Sequence, residues 1–189
     1  MAKYEVIYAD PPWHFGSKFK VGTMGAEQQS LDKYQYPTMK DNTLREYFAN
    51  SVSQLANDTA VMVMWTTDSH LPLAIELGNI AGFSYKTIAF IWNKKTSTGK
   101  QVCFMGTWTT KGSEIALLFT KGKAHSLLKD RKIKQLVEAE RREHSRKPDI
   151  VRTNIEKMFP NTKKIELFAR TSPIGWDVFG NETEKFVNK

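Results

Sequence analysis

Apolar residues are spaced along this chain in two alternating rhythms. Short, nearly unbroken apolar runs occur at 4–9 (YEVIYA), 59–66 (TAVMVMWT), 84–92 (SYKTIAFIW), 114–120 (EIALLFT) and 163–169 (KKIELFA). Runs of this kind suit strands covered on both faces, because a strand with one wet face alternates apolar with polar instead. Between the first two runs, Leu44, Tyr47, Phe48, Ser51, Val52 and Leu55 recur at helical spacing, and Thr43 with Glu46 three residues on predicts a capping box at the helix start. A second helix is expected over 69–81, stopping at Gly82, and Ile150, Val151, Ile155, Met158 and Phe159 mark a third between Pro148 and Pro160. The stretch 132–143 (KIKQLVEAERRE) suits a charged helix or an edge strand equally. Strand and helix thus alternate, which predicts an α/β sheet layered between helices.

Two segments carry neither rhythm. Residues 10–40 and 93–112 are rich in Gly, Pro, Thr and Lys and follow strands, the position where open α/β sheets hold their ligands. At 189 residues and 40% hydrophobic content the chain has enough apolar surface for one core, so a single domain over 1–189 is expected. It has neither the apolar run of roughly 18 residues that crosses a bilayer nor a basic-then-apolar leader, so a cytoplasmic protein is expected. The lone Cys103 has no partner for a disulfide or a zinc cluster, and no metal is expected.

The formal charge of +8 points to a polyanionic partner. Between Lys123 and Lys147 nine Lys or Arg stand against four Asp or Glu, a local net of +5. Residues 123–136 therefore form a candidate basic insertion, with Lys129, Arg131, Lys132 and Lys134 as candidate phosphate contacts; the same charges would also suit a solvated surface.

Asp10-Pro11-Pro12-Trp13, directly after the first strand, is the most informative string. Two prolines fix two φ angles and remove two N–H donors, leaving a stiff turn that offers acceptors. The exocyclic nitrogen of adenine is a poor nucleophile because its lone pair is delocalised into the ring. Accepting both of its hydrogens, one on the Asp10 carboxylate and one on the Pro11 carbonyl, would localise that pair. Trp13 offers a surface on which an extruded base could stack.

The chain resembles the S-adenosylmethionine-dependent N6-adenine methyltransferases with an Asp-Pro-Pro-Trp motif, bacterial and phage DNA enzymes related to the catalytic subunit of the messenger-RNA N6-adenosine methyltransferase. Besides residues 10–13 the resemblance rests on Tyr36-Pro37-Thr38-Met39, Trp65-Thr66-Thr67, Ile91-Trp92-Asn93-Lys94, Gly106-Thr107-Trp108, Gly112-Ser113-Glu114, His144-Ser145-Arg146-Lys147-Pro148-Asp149, Lys164 to Arg170, and Gly180-Asn181-Glu182, in the family's order. It implies a Rossmann-like class I methyltransferase, with a mostly parallel sheet, helices on both faces and a circularly permuted motif order. It further implies that Ala9, Asp10, Ser145, Lys147, Arg170, Asn181 and Glu182 bind the cofactor, Lys147 meeting its carboxylate. Tyr36, Trp65 and Trp108 are implied to face the target base. The family's polar residue after Trp108 is replaced by Thr109-Thr110, and the glycine-rich GxG loop of other cofactor-binding α/β folds is absent.

The reaction so implied is direct in-line transfer, in which positioning contributes roughly 7–11 kcal/mol without a metal or a covalent intermediate. A chain of this length, without an accessory RNA-binding region, is expected to act on DNA rather than RNA. Three alternatives stand beside it: an RNA adenine enzyme, a cytosine-N4 enzyme, and a catalytically silent nucleic-acid-binding subunit of the same fold.

Overall fold

The computed structural model describes residues 3–14, 38–106, 108–143 and 145–180. Seven strands form one sheet: β1 (Tyr4–Ala9), β2 (Ala56–Thr66), β3 (Ser84–Lys95), β4 (Ser113–Lys121), β5 (Leu136–Glu140), β6 (Lys164–Leu167) and β7 (Asp177–Phe179). Their order is β5-β3-β4-β2-β1-β6-β7. Only β4 runs against its neighbours β2 and β3, and the other four pairings are parallel. The sheet is thus mostly parallel; strand and helix alternate from β1 to β3 and again around the helix at Asp149–Met158, while β4 follows β3 and β7 follows β6 without a helix between them.

Strands β1 and β2 are buried on both faces, as the sequence predicts, whereas β3 is exposed over its first four residues and mostly half-buried beyond them. On one face Ile7, Ala9, Met62, Met64, Leu117 and Phe119 pack beneath helices α1 (Asp41–Tyr47) and α3 (Leu71–Ile80). On the other face Val6, Tyr8, Val61, Val63, Trp65 and Phe90 meet Val151 and Ile155 of α4 (Asp149–Met158). Successive residues of β2 alternate between the two clusters, which is why neither of its faces reads as polar.

The capping box is not made. Helix α1 begins three residues earlier than that box implies, at Asp41, with Lys40 as an extended N-cap that gives no side-chain bond. Lys40 follows the bridge between Trp13 and Met39, so the main chain is already fixed when it enters the helix, and Asp41 supplies the favourable negative charge of the first turn. The helix continues through a π-helical turn, Phe48–Val52, into α2 (Ser53–Leu55). The second predicted helix starts with a 3-10 turn, Asp68–His70, before α3, and ends where Gly82 takes φ +82°, with the Phe83 N–H donating to the Gly78 carbonyl. The stretch 132–143 contains the edge strand β5. The segment expected to be irregular from 93 is partly ordered, because β3 runs on to Lys95 and bridges pair Lys95 with Gln101 and Phe104 with Lys111.

Gly78 is where α3 lies closest to the sheet, and a Cβ there would collide with the Phe119 ring. Gly78→Ala is expected to lower the melting temperature even though alanine favours helix by roughly 1 kcal/mol, because overpacking a core costs about 1–3 kcal/mol. Thermal melts would check this, and Phe119→Leu in the same chain should restore part of the loss.

Candidate active site

The carboxyl ends of β1, β2 and β6, the start of β4 and the N-terminal end of α4 meet at one edge of the sheet. Asp10 is the first residue past β1, and Lys147 stands two residues before α4. The Lys147 ammonium lies 2.8 Å from Asp10 Oδ2 and 3.3 Å from Glu114 Oε2, while Lys94 donates to the other Glu114 oxygen. These four side chains are only 13–20% exposed. Burial alone would push the Lys147 pKa down, yet the carboxylates of Asp10 and Glu114 outweigh it and hold the pKa above that of an ordinary lysine. Burial likewise pushes Glu114 up, and the charges of Lys147 and Lys94 more than reverse it, so that its carboxyl is held below the usual range. The Lys147 ammonium and the Glu114 carboxylate are therefore both charged around neutrality.

Beneath it lies a second buried layer. Trp65 Nε1 donates to the Tyr8 hydroxyl at 2.6 Å, and Lys147 Nζ sits 5.7 Å from the centre of the Trp65 ring. Burial is the main cause of the raised pKa of Tyr8. Trp65 is fully buried among Tyr8, Val63 and Trp92, so it is a floor under Lys147 rather than the base-contacting surface expected of it. Arg152 pairs with Glu166 at 2.9 Å, and burial raises the Glu166 pKa more than that partner lowers it.

The Pro-Pro turn is held by main-chain bonds. The Trp13 N–H donates back to the Pro11 carbonyl at 2.9 Å, and the Met39 N–H donates to the Pro12 carbonyl at 2.9 Å. A carbonyl oxygen has two lone pairs, so Pro11 retains one acceptor position for a ligand. Trp13 is 5% exposed, with its ring stacked on His70 at a centroid separation of 5.2 Å. It forms a wall of the turn and presents no open face of the kind expected for base stacking.

One cleft opens between β1, the segment before α4 and the turn after β6. Asp10, Ser145, Lys147, Glu166, Phe168 and Arg170 are among the residues that line it. The only two non-glycine residues of positive φ among the described residues, Ser145 (φ 63°) and Phe168 (φ 60°), both face this cleft, so backbone strain is concentrated there. Of the residues expected at a cofactor, Asp10, Ser145, Lys147 and Arg170 thus come together, and Ala9 is buried immediately beside them at the end of β1. Asn181 and Glu182, and Tyr36 on the substrate side, lie outside the described residues.

A second cavity, of about 640 Å³, lies on the other side of Glu114 and is lined by Thr67, Asp68, Lys94, Phe104 and Gly112 among others. Its size falls in the roughly 300–1,000 Å³ range of small-molecule sites. The β3–β4 connection forms its rim, and Trp108, 95% exposed, stands on that connection, as does the exposed Cys103. Lys129, Arg131, Lys132 and Lys134 are all exposed on the segment leading into edge strand β5. The Lys129 N–H donates to the Met158 carbonyl at the end of α4, and the Gln135 side chain donates to the Ile88 carbonyl. Strand β5 lies four positions from β1, about 19 Å across the sheet, so these cations flank the Asp10 edge rather than line it. Lys94 and Glu114 stand among the motif residues of the sequence but were given no role there. The signal was a charged residue opening the apolar run EIALLFT, at the strand end nearest Asp10.

The description of the MT-A70 family matches residues 4–182. The type II methyltransferase M.MunI of Mycoplasma sp is 38% identical over 95% of this chain and 78% of its own length. The N(6)-adenosine-methyltransferase catalytic subunit METTL3 of Homo sapiens is 26% identical over 97% of this chain, which spans 29% of that protein. A probable N(6)-adenosine-methyltransferase MT-A70-like protein of Oryza sativa subsp. japonica is 30% identical over 96% of the chain and 23% of its own length.

Proposed function

Because the chain belongs to the MT-A70 family, we propose that it transfers the methyl group of S-adenosylmethionine to N6 of adenine in DNA. The observation that carries this reading is the Asp10–Lys147–Glu114 network, which stands between a charged cleft and a cavity large enough for a nucleoside. The DNA substrate rests on the likeness to M.MunI, and the likeness to METTL3 supports RNA as the second reading. The likeness to M.MunI of Mycoplasma sp supports the cytoplasm of a prokaryote or phage-infected host as its location.

The cleft suits the proposed cofactor by its donor set. Lys147, Arg170 and Ser145 offer donors for a carboxylate and for ribose hydroxyls, and Asp10 and Glu166 offer carboxylates for an ammonium, a diol or a sulfonium. Of the three Lys147 donors, Asp10 and Glu114 use two, which leaves a third for the cofactor's carboxylate. Asn181 and Glu182 complete the proposed set. When bound, the cofactor would supply an electrophilic methyl carbon, its bond electrons returning to sulfur as the N–C bond forms and the methylated nitrogen losing one of its two hydrogens as a proton.

The chain's own residues then act on the nucleophile. Asp10 and the remaining lone pair of Pro11 accept the two amino hydrogens, and the Asp10 charge favours the positive charge that develops on nitrogen. Lys147 fixes the Asp10 carboxylate so that this geometry exists before the base arrives. Pro12 holds the turn and Trp13 walls it. Tyr36 and Trp108 are proposed to contact the nucleotide, Trp108 from the β3–β4 connection that rims the 640 Å³ cavity.

The test incubates the purified chain with S-adenosylmethionine carrying a labelled methyl group and with DNA or RNA, followed by nucleoside mass spectrometry. Labelled N6-methyladenine in DNA is expected. N4-methylcytosine, or product from RNA alone, would overturn the substrate assignment.

The basic segment gives a separate expectation. Neutralising Lys129, Arg131, Lys132 and Lys134 together should weaken binding to every DNA sequence alike and flatten its salt dependence by up to about 3–4 units of slope, at roughly 0.9 per phosphate contact. The methylated adenine should stay the same. An unchanged slope in salt titrations would mean that these side chains only meet solvent.

A further inference from the structure

Prolines cannot donate, so the turn that carries Asp10 depends on contacts made to it from outside. One set comes from Thr38 and Met39, whose hydroxyl lies 3.1 Å from His14 Nδ1 and whose N–H donates to the Pro12 carbonyl. The other comes from a single side chain beyond the end of β2. His70 Nε2 lies 3.1 Å from the His14 carbonyl, and the His70 ring lies on the Trp13 indole with an interplanar angle of 23°. A carbonyl only accepts, so Nε2 carries the proton and donates. Nδ1 lies 2.8 Å from the Thr67 hydroxyl, which can serve as donor or acceptor to it.

His70 is itself held in place. It closes the 3-10 turn Asp68–His70, where its N–H donates to the Thr67 carbonyl at 3.1 Å. Among the described residues Trp13 Nε1 is buried without a hydrogen-bond partner, so no bond from the indole to them sets the plane of that ring. Packing against His70 does so instead. Trp13 in turn donates its main-chain N–H to the Pro11 carbonyl, the acceptor proposed for the amino group.

We propose that His70 is a positioning residue for methyl transfer, aiming the Pro11 carbonyl and Asp10 by donating to His14 and clamping Trp13. This rests on the methyl-transfer reading above. Its role needs both a flat ring and a donor, which explains a histidine at a position that makes no contact with the cofactor cleft.

Three variants separate the two contributions: His70→Phe keeps a ring without the donor, His70→Gln keeps a donor without the ring, and His70→Ala keeps neither. Phe and Gln are each expected to lower kcat about tenfold, and Ala about a hundredfold, the scale of roughly 1 Å of misplacement at a reacting centre. Cofactor Kd by calorimetry should stay within about twofold, since His70 lies on the far side of the turn from Lys147. Hydrogen exchange at the Trp13 and Met39 amides should accelerate in all three variants, a readout that needs no turnover. Unchanged kcat with unchanged exchange would overturn the proposal, as would kcat losses that vanish well below each variant's melting temperature. A wild-type protein that methylates no adenine would instead overturn the underlying function, and amide exchange would still decide whether His70 holds the turn.

Discussion

Asp10→Ala is expected to abolish methyl transfer, with a loss of at least about 10³-fold in the single-turnover rate, because both the carboxylate that accepts an amino hydrogen and its charge disappear. The fold and DNA binding should be largely retained. Asp10 contributes nothing to either apolar cluster, and Lys147 keeps its second partner, Glu114. Asp10→Asn is the sharper experiment. The Lys147 ammonium, 2.8 Å from Asp10 Oδ2 in the parent, will draw the amide oxygen to itself and turn the NH2 group toward the incoming amine. A donor would then face a donor, so the isosteric variant should be nearly as inactive as alanine. Turnover within about tenfold of wild type in the asparagine variant would remove Asp10 from the chemistry.

The fold was legible because β1 and β2 are buried on both faces. The run from 59 to 66 alternates between two apolar clusters, so periodicity had only one interpretation. Helix starts were less legible. Thr43 and Glu46 form a capping-box string, yet the bridge between Trp13 and Met39 fixes the chain entering α1 and moves its start to Asp41, a constraint from 26 residues away that local pattern cannot carry. Within the site the motif residues were legible and their partners were not. Asp10 and Lys147 stand 137 positions apart, and nothing in either string says that one neutralises the other. Trp13 suits base stacking by its chemistry, and Trp65 is placed on the substrate side by the family resemblance. Their burial against His70 and Tyr8 depends on the packing of β1 against β2, which spacing does not report.

That pairing changes what Lys147→Ala should do. A lysine that met only the cofactor's carboxylate would, on removal, raise the cofactor KM and spare kcat. Here its loss also releases Asp10 from its lysine and leaves Glu114, mostly buried, with Lys94 as its remaining ion-pair partner among the described residues, so kcat should fall together with cofactor affinity. Removing one partner of a buried ion pair costs about 3–5 kcal/mol, and the residual exposure of these groups brings the expected loss toward roughly 2–3 kcal/mol. The pH dependence identifies the source. The Glu114 pKa is depressed below its ordinary 4.5, so its pairing stabilises the fold above that value and is lost as pH falls through the folded-state pKa. The Lys147 pKa is raised above its ordinary 10.5, so its contribution is complete below that value and is lost only as pH rises through the folded-state pKa. The stability gap between wild type and Lys147→Ala should therefore be widest from about pH 5 to 10 and narrow on either side. Denaturant melts across that range, paired with kcat and KM at neutral pH, would check both halves. A gap independent of pH would mean that Lys147 acts through packing on Trp65 rather than through charge, and an unchanged kcat at saturating cofactor would mean that Asp10 holds its position without it.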